Sequence, residues 1–443
     1  MEHCDSLISA TWIVPVEPAG HVLEEHAVAV NSGRIADLLP VAEARRKYQP
    51  SITLDRPGHA LIPGLVNAHT HAAMSLFRGY GDDLRLENWL TDRIWPAEKR
   101  WASAEMVRDG TDLAIAEMLS AGITCFSDQY FFPEIIAATA NNAGMRANVG
   151  SPVLDFATSW SADASDCLAK AGDLLHDPYA GHPLISTCFA PHSTQALSDE
   201  AFTELRVIAD QLDVRVQIHL HETATEVEHA VTATGMRPIQ RLRELGLINA
   251  SLLAVHAVHV TDDEIALLAD SNVAVAHCPR SNLKLASGIA PLARFRDAGI
   301  IVGLGTDGAA SNNTLDLLAE ASTAALLAKV KSDDAAVLDA SSVLELATLG
   351  SARALGLDAG IGSIVPGKWA DLTCIDLSRL NSQPLYDPVS QLIYAVRADQ
   401  VSDVWVAGKH LLESGELTHM STDDLVARAT EWRDRIAKTG PKE

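Results

Sequence analysis

Eight short, largely apolar segments recur along the middle of this 443-residue chain, at 61–66, 122–127, 147–154, 184–190, 214–220, 252–255, 273–276 and 300–304. Each has the length of a strand, and apolar character on both sides marks strands covered on both faces. The stretches between them carry helix signals. In 199–212 Ser198 is placed to cap the first turn, acids follow it, and Phe202, Leu205, Ile208, Ala209 and Leu212 share one face. At Thr261 the run TDDE forms a capping box ahead of Ile265 and Leu268. Strand then helix, eight times over, is what a closed parallel (β/α)8 TIM-like barrel requires. The competing architecture is an open doubly wound sheet, but no glycine-rich phosphate fingerprint follows the first strand.

The two chain ends read differently. Strand-like segments at 6–14, 27–30, 34–39 and 52–54, with a turn at Asn31-Ser32-Gly33, form a hairpin-rich module with too little apolar face to stand alone. Further strand-like segments lie at 371–376, 391–397 and 401–407. The expected organisation is therefore a barrel over 61–365 and a small β-sandwich domain built from both ends, 1–60 and 366–443, with 422–438 as a C-terminal helix.

Charge and cysteines exclude several classes of function. With 58 acids against 34 bases the net charge is -24, and no basic stripe offers itself to a nucleic-acid backbone. Cysteines 4, 125, 167, 188, 278 and 374 form no C-x-x-C pair, and they read as reduced core residues. No basic segment precedes a long apolar run at the N-terminus, and no stretch of about eighteen apolar residues exists to cross a membrane. A cytoplasmic protein with no membrane partner is expected.

Polar residues collect where the strands end, the rim that carries the chemistry of such barrels. The first segment runs into LIPGLVNAHTHAAM, and a strand's period of two puts His69 and His71 on one side, within reach of one metal ion. The fourth ends at His192, the fifth at His219, His221 and Glu222, the sixth at His256, the seventh at His277 and the eighth at Asp307. Buried ionisable groups are costly unless a metal or partner compensates them, so this collection points to a metal site. From spacing alone His219 and His221 could equally be a second ligand pair, and His259 competes with His256.

Several motifs resemble the amidohydrolase superfamily, in its cytosine deaminase and chlorohydrolase-like branch: PGLVNAHTH, H-x-x-E at 219–222, HCPRSNLKLASG at 277–288, GTDGAASNN at 305–313 and GSIVPGKWADLTCIDL at 362–377. Within that branch IWPAEKRW around Glu98, APH at 190–192 and PVLDF at 152–156 are most similar to the 5-methylthioadenosine/S-adenosylhomocysteine deaminases. The resemblance implies that His69, His71, His219 and Asp307 hold one Zn²⁺, in a site that Fe²⁺ or Mn²⁺ also suits. It makes Asp307 a base as well as a ligand, Glu222 the proton shuttle and His256 the group at the attacking oxygen. Glu98 and His192, with Glu222 and Asp307, are placed on the substrate, and His221 behind the ligands. The roles of His259 and His277 stay open. No lysine lies in LISTCFAPHS to bridge a second metal.

The implied reaction is hydrolytic deamination of an aminopurine nucleoside, 5'-methylthioadenosine or S-adenosylhomocysteine, giving ammonia and the inosine analogue. A guanine, cytosine or triazine hydrolase of the same branch is the alternative, and a zinc-binding protein without catalysis is the rival from another class. Trp89 and Trp95 offer either a wall for the purine or core packing. Some family members bind the S-adenosylhomocysteine carboxylate with arginines after the third strand. Here 147–169 has none and Arg146 is the nearest, which implies a preference for methylthioadenosine. Family members often self-associate, so a homo-oligomer is expected.

Overall fold

The computed structural model describes residues 1–438; the last five residues of the 366–443 segment lie outside the described residues. Eight parallel strands form the central sheet in chain order: Leu65–Thr70, Ile123–Gln129, Arg146–Val153, Ile185–Pro191, Arg215–Leu220, Leu252–His256, Ala274–His277 and Val302–Leu304. First and last meet just beyond the eighth strand. There the Asp307 N–H donates to the His69 carbonyl (3.0 Å) and the Thr306 N–H to Asn67 Oδ1 (3.0 Å), so the sheet closes on itself at the rim. The helices around it include Asp199–Leu212 with Ser198 as its cap, and Asp262–Asp270 with the Thr261–Glu264 capping box, both as their sequences foretell.

The segment 61–66 is not one strand. A sixteen-residue strand, Tyr48–Pro63, belongs to a second sheet, and the first barrel strand begins two residues later at Leu65. Gly64 is the joint. A Cβ there would lie 2.0 Å from Thr124 Oγ1, so only glycine lets the two sheets share the chain at this point.

That second sheet is mixed, has eight strands and draws on both chain ends. Glu2–Ile13 pairs antiparallel with Leu23–Asn31, which pairs antiparallel with Arg34–Pro40. The chain then crosses over through a helix, Val41–Lys47, and Tyr48–Pro63 returns parallel to Glu2–Ile13. The other edge of Tyr48–Pro63 takes Leu372–Asp376 from the far end of the sequence, with Leu61 opposite Cys374. Alternation along Leu23–Asn31 serves two cores, Val28 and Val30 on one face and Ala27 and Ala29 on the other.

The segment 391–397 is not a strand. Asp387 accepts from the Val389 and Ser390 N–H groups, Pro388 sits at the first helical position, and Pro388–Tyr394 is a helix. The C-terminal helix is Thr422–Ala437. It packs on Ala104–Ser120, where Trp432 Nε1 donates to Asp109 Oδ2 (2.9 Å). Among the described residues no helix is long and apolar enough to cross a membrane.

Candidate active site

The strand termini deliver the side chains, and the backbone there is strained to do so. His256, Asp307 and His221 all have positive φ, at 73°, 59° and 54°. Such conformations cost non-glycine residues about 1–3 kcal/mol each and persist only where surroundings hold them.

Four donor atoms converge. His69 Nε2 lies 3.2 Å from His219 Nε2 and 3.6 Å from Asp307 Oδ1, and His71 Nε2 lies 3.2 Å from the same oxygen. One ring nitrogen from each of His69, His71 and His219 falls within 4.8 Å of the others, so these three could hold a metal ion. The outward nitrogens decide what the inward ones present. His71 Nδ1–H donates to the Gln129 carbonyl (2.6 Å) and His219 Nδ1–H to the His192 carbonyl (2.8 Å), which turns the Nε2 of each ring inward.

His256 is held the other way round. Its Nδ1 accepts from Asn282 Nδ2 (3.0 Å), so the proton sits on Nε2, 3.8 Å from Glu222 Oε2. Its ring stacks on that of His219 with centroids 5.5 Å apart. Burial, reinforced by the charge of His71, keeps His256 neutral, its pKa lowered to about 4 despite Asp307.

Asp307 is the most heavily supported member. Oδ2 accepts from Ser281 Oγ (2.6 Å) and Ser311 Oγ (2.9 Å), and Oδ1 accepts from the Gly308 N–H (2.8 Å). Burial alone would raise its pKa, but the imidazoles of His69 and His71 hold it well below the carboxylate range. His71 shows the reciprocal effect: burial pushes it down, yet Asp307 and the Gln129 carbonyl lift it to about 9. A cation entering this cluster displaces that proton. Burial and the charge of Asp307 push Glu222 up to about 7, while Ser287 Oγ donates to its Oε1 (3.1 Å).

The other rim residues separate by place. The His192 ring lies 4.9 Å from that of His219 and is exposed towards the mouth. Half-buried Glu98 sits beside Tyr130 and near His71, and burial raises it to about 7. Trp89 is buried in the main core, whereas Trp95 is half exposed. His221 faces away from the cluster. Its Nε2 accepts from the Ile239 N–H (3.3 Å), its Nδ1–H donates to the His259 carbonyl (3.1 Å), and Glu264 lies 3.7 Å away. His259 Nε2–H donates to the Ser287 carbonyl (2.6 Å), bracing the loop that reaches Glu222. His277 is buried with Nδ1 unpartnered.

Sequence reasoning missed the supporting set. Ser281, Asn282 and Ser287 all lie within HCPRSNLKLASG, and Ser311 within GTDGAASNN, so their signal was in the motifs themselves. Asp128, at the end of the second strand, was also missed. Its Oδ2 accepts from the Ala72 N–H (2.6 Å) directly after His71, and burial pushes it up to about 7.

A closed parallel barrel with three imidazoles and a carboxylate gathered at its C-terminal rim defines a class of barrel proteins built around a rim-bound cation. Within that class the chain belongs to the amidohydrolase family, whose model matches residues 60–411. It is 45% identical over 432 residues to a 5-methylthioadenosine/S-adenosylhomocysteine deaminase of Teredinibacter turnerae, covering 98% of each chain. Its fold is similar to the crystal structure of an adenosine deaminase from Xanthomonas campestris with bound zinc, at TM-score 0.98 and 51% identity, over 99% of this chain and 100% of that one. It is also similar to an atrazine chlorohydrolase from Arthrobacter aurescens complexed with zinc, at TM-score 0.90 and 25% identity, over 97% and 100% of the two chains.

Proposed function

We propose that this protein is a zinc-dependent deaminase of adenosine-type nucleosides, acting on 5'-methylthioadenosine in preference to S-adenosylhomocysteine. The observation that carries the reading is the sorting of imidazoles at the rim. His71 and His219, each anchored through Nδ1–H to a backbone carbonyl, turn Nε2 to the cluster, whereas His256 presents an N–H beside Glu222. That is the division of labour between ligands and a hydrogen-bond donor. The three nitrogens and one oxygen are donors that Zn²⁺ accepts, with Fe²⁺ and Mn²⁺ as further candidates, and one ion fills the set.

When bound, the cation supplies Lewis acidity that brings the pKa of water to about 7. Asp307, whose Oδ2 is fixed by two serine hydroxyls, takes the proton from the attacking water and passes it to the exocyclic amine, which leaves as ammonia when its C–N bond breaks. Glu222, poised near 7, delivers a proton to the ring nitrogen beside the attacked carbon. His256 donates from Nε2 to the oxygen that becomes the product carbonyl, and Asn282 holds it in that tautomer. Glu98 and His192, at the mouth, are assigned to the ribose side of the substrate.

The preference for methylthioadenosine is supported by the place of Arg146. It begins the third strand, at the end of the barrel away from the site, and is bound to Asp371 through Nε (2.6 Å) and Nη2 (3.1 Å). An S-adenosylhomocysteine carboxylate therefore finds no partner in it. We expect kcat/KM for methylthioadenosine to exceed that for S-adenosylhomocysteine by about 10- to 100-fold, the worth of one charge-assisted hydrogen bond. Ammonia release from the two nucleosides and adenosine measures this; an advantage for S-adenosylhomocysteine counts against the preference, and turnover only of guanine, cytosine or a triazine counts against the reading. A cytoplasmic location, which suits six buried unpaired thiols, and a homo-oligomeric assembly belong to the same proposal.

A further inference from the structure

Glu320 is a fully buried carboxylate that no step of the proposed chemistry uses. It lies in the first turn of the helix Leu317–Ser332, yet it does not serve that helix, whose free Leu318 and Ala319 N–H groups are capped by Asp316. Its own bonds go elsewhere. Oε2 accepts from the Arg280 backbone N–H (3.0 Å), and Oε1 accepts from Asn312 Nδ2 (2.6 Å), which also donates to the Thr306 carbonyl (2.6 Å). Among the described residues the cation paired with it is Arg280, whose Nε lies 3.6 Å away on a side chain 38% exposed.

Each partner is the immediate neighbour of a residue that holds the site. Arg280 precedes Ser281, which donates to Asp307 Oδ2, and Asn282, which donates to His256. Asn312 follows Ser311, the other donor to Asp307 Oδ2, and Thr306 precedes Asp307 itself. A buried carboxylate with so little charge compensation is a costly way to gain stability, since an apolar side chain would fill the space at lower cost. What it gains is geometry: one group with two acceptor oxygens ties together the segments that follow the seventh and eighth strands.

We propose that Glu320 is a positioning residue that locks these two segments in the register at which Ser281, Ser311 and Asn282 orient Asp307 and His256. The idea rests on the proposed roles of those two residues, so its test includes a readout independent of turnover. Glu320→Gln keeps the shape but turns an amide NH₂ towards a donor. In Co²⁺-loaded protein, this variant is expected to shift the visible bands and to weaken Co²⁺ binding by about tenfold or more. In zinc-loaded protein, kcat for methylthioadenosine is expected to fall by a similar factor with KM unchanged within about twofold. A folded Glu320→Gln protein with wild-type cobalt bands, metal affinity and kcat overturns the proposal, because a merely structural role lowers only the melting temperature. Should Glu320→Gln not fold, Asn312→Ala opens the same joint from the other side, and unchanged cobalt bands there overturn it equally. If the wild type releases no ammonia, the deaminase reading fails while the cobalt measurement still decides the role of Glu320.

Discussion

Glu222→Gln is expected to lower kcat/KM for methylthioadenosine by about 10²- to 10⁴-fold, the usual worth of a positioned acid–base group, with zinc content at the wild-type level. The separation of the two readouts follows from the geometry. Glu222 supplies none of the four donor atoms of the His69–His71–His219–Asp307 cluster; its carboxylate meets Ser287 and, at 3.8 Å, His256. Glutamine keeps an oxygen for the Ser287 hydroxyl and preserves the shape, so the fold survives while the proton is lost. Parallel kinetics and metal analysis check this. Activity within about tenfold of wild type would remove Glu222 from the proton path and revive the rival of a zinc-binding protein without catalysis.

Asp307→Asn should cost at least as much, about 10⁴-fold in kcat/KM, and should weaken zinc binding as well. The carboxylate is both the oxygen donor and the group assigned to take the proton, so the variant loses charge, ligand strength and base together. It should still fold. Ser281 and Ser311 approach Oδ2 through hydroxyls, which can rotate to accept from an amide, whereas Gly308 donates to Oδ1, the oxygen that asparagine retains. Zinc per chain after dialysis, measured beside kcat/KM, separates the two effects. Full zinc retention with near-normal turnover would show that Asp307 is neither ligand nor base.

The barrel was legible because parallel strands covered on both faces must be apolar along their length, and because ionisable residues at the ends of such strands have few bland explanations. His69 and His71 follow from the period of a strand. The same rule could not choose between His219 and His221, and the structure shows why: the strand stops at Leu220, and His221 takes φ 54°, which turns its side chain towards Ile239 and Glu264. A backbone reversal at one residue leaves no periodic trace. The division at Gly64 was hidden for a related reason, since apolar residues continue through Ile62, Leu65 and Val66 while the chain changes sheets. The segment 391–397 has the apolar content of a strand, and the deciding signal was upstream, in the Asp387 cap and Pro388. The bonds from Ser281, Ser311 and Asn282 required the fold, because they join segments that only barrel closure brings together.

The most direct test of the account is titration of metal-free protein with Zn²⁺ while ammonia release from methylthioadenosine is followed. Activity should rise from background in proportion to added zinc and level off at one ion per chain. Turnover by the metal-free protein, or a plateau only at two ions per chain, would contradict a single cation held by His69, His71, His219 and Asp307.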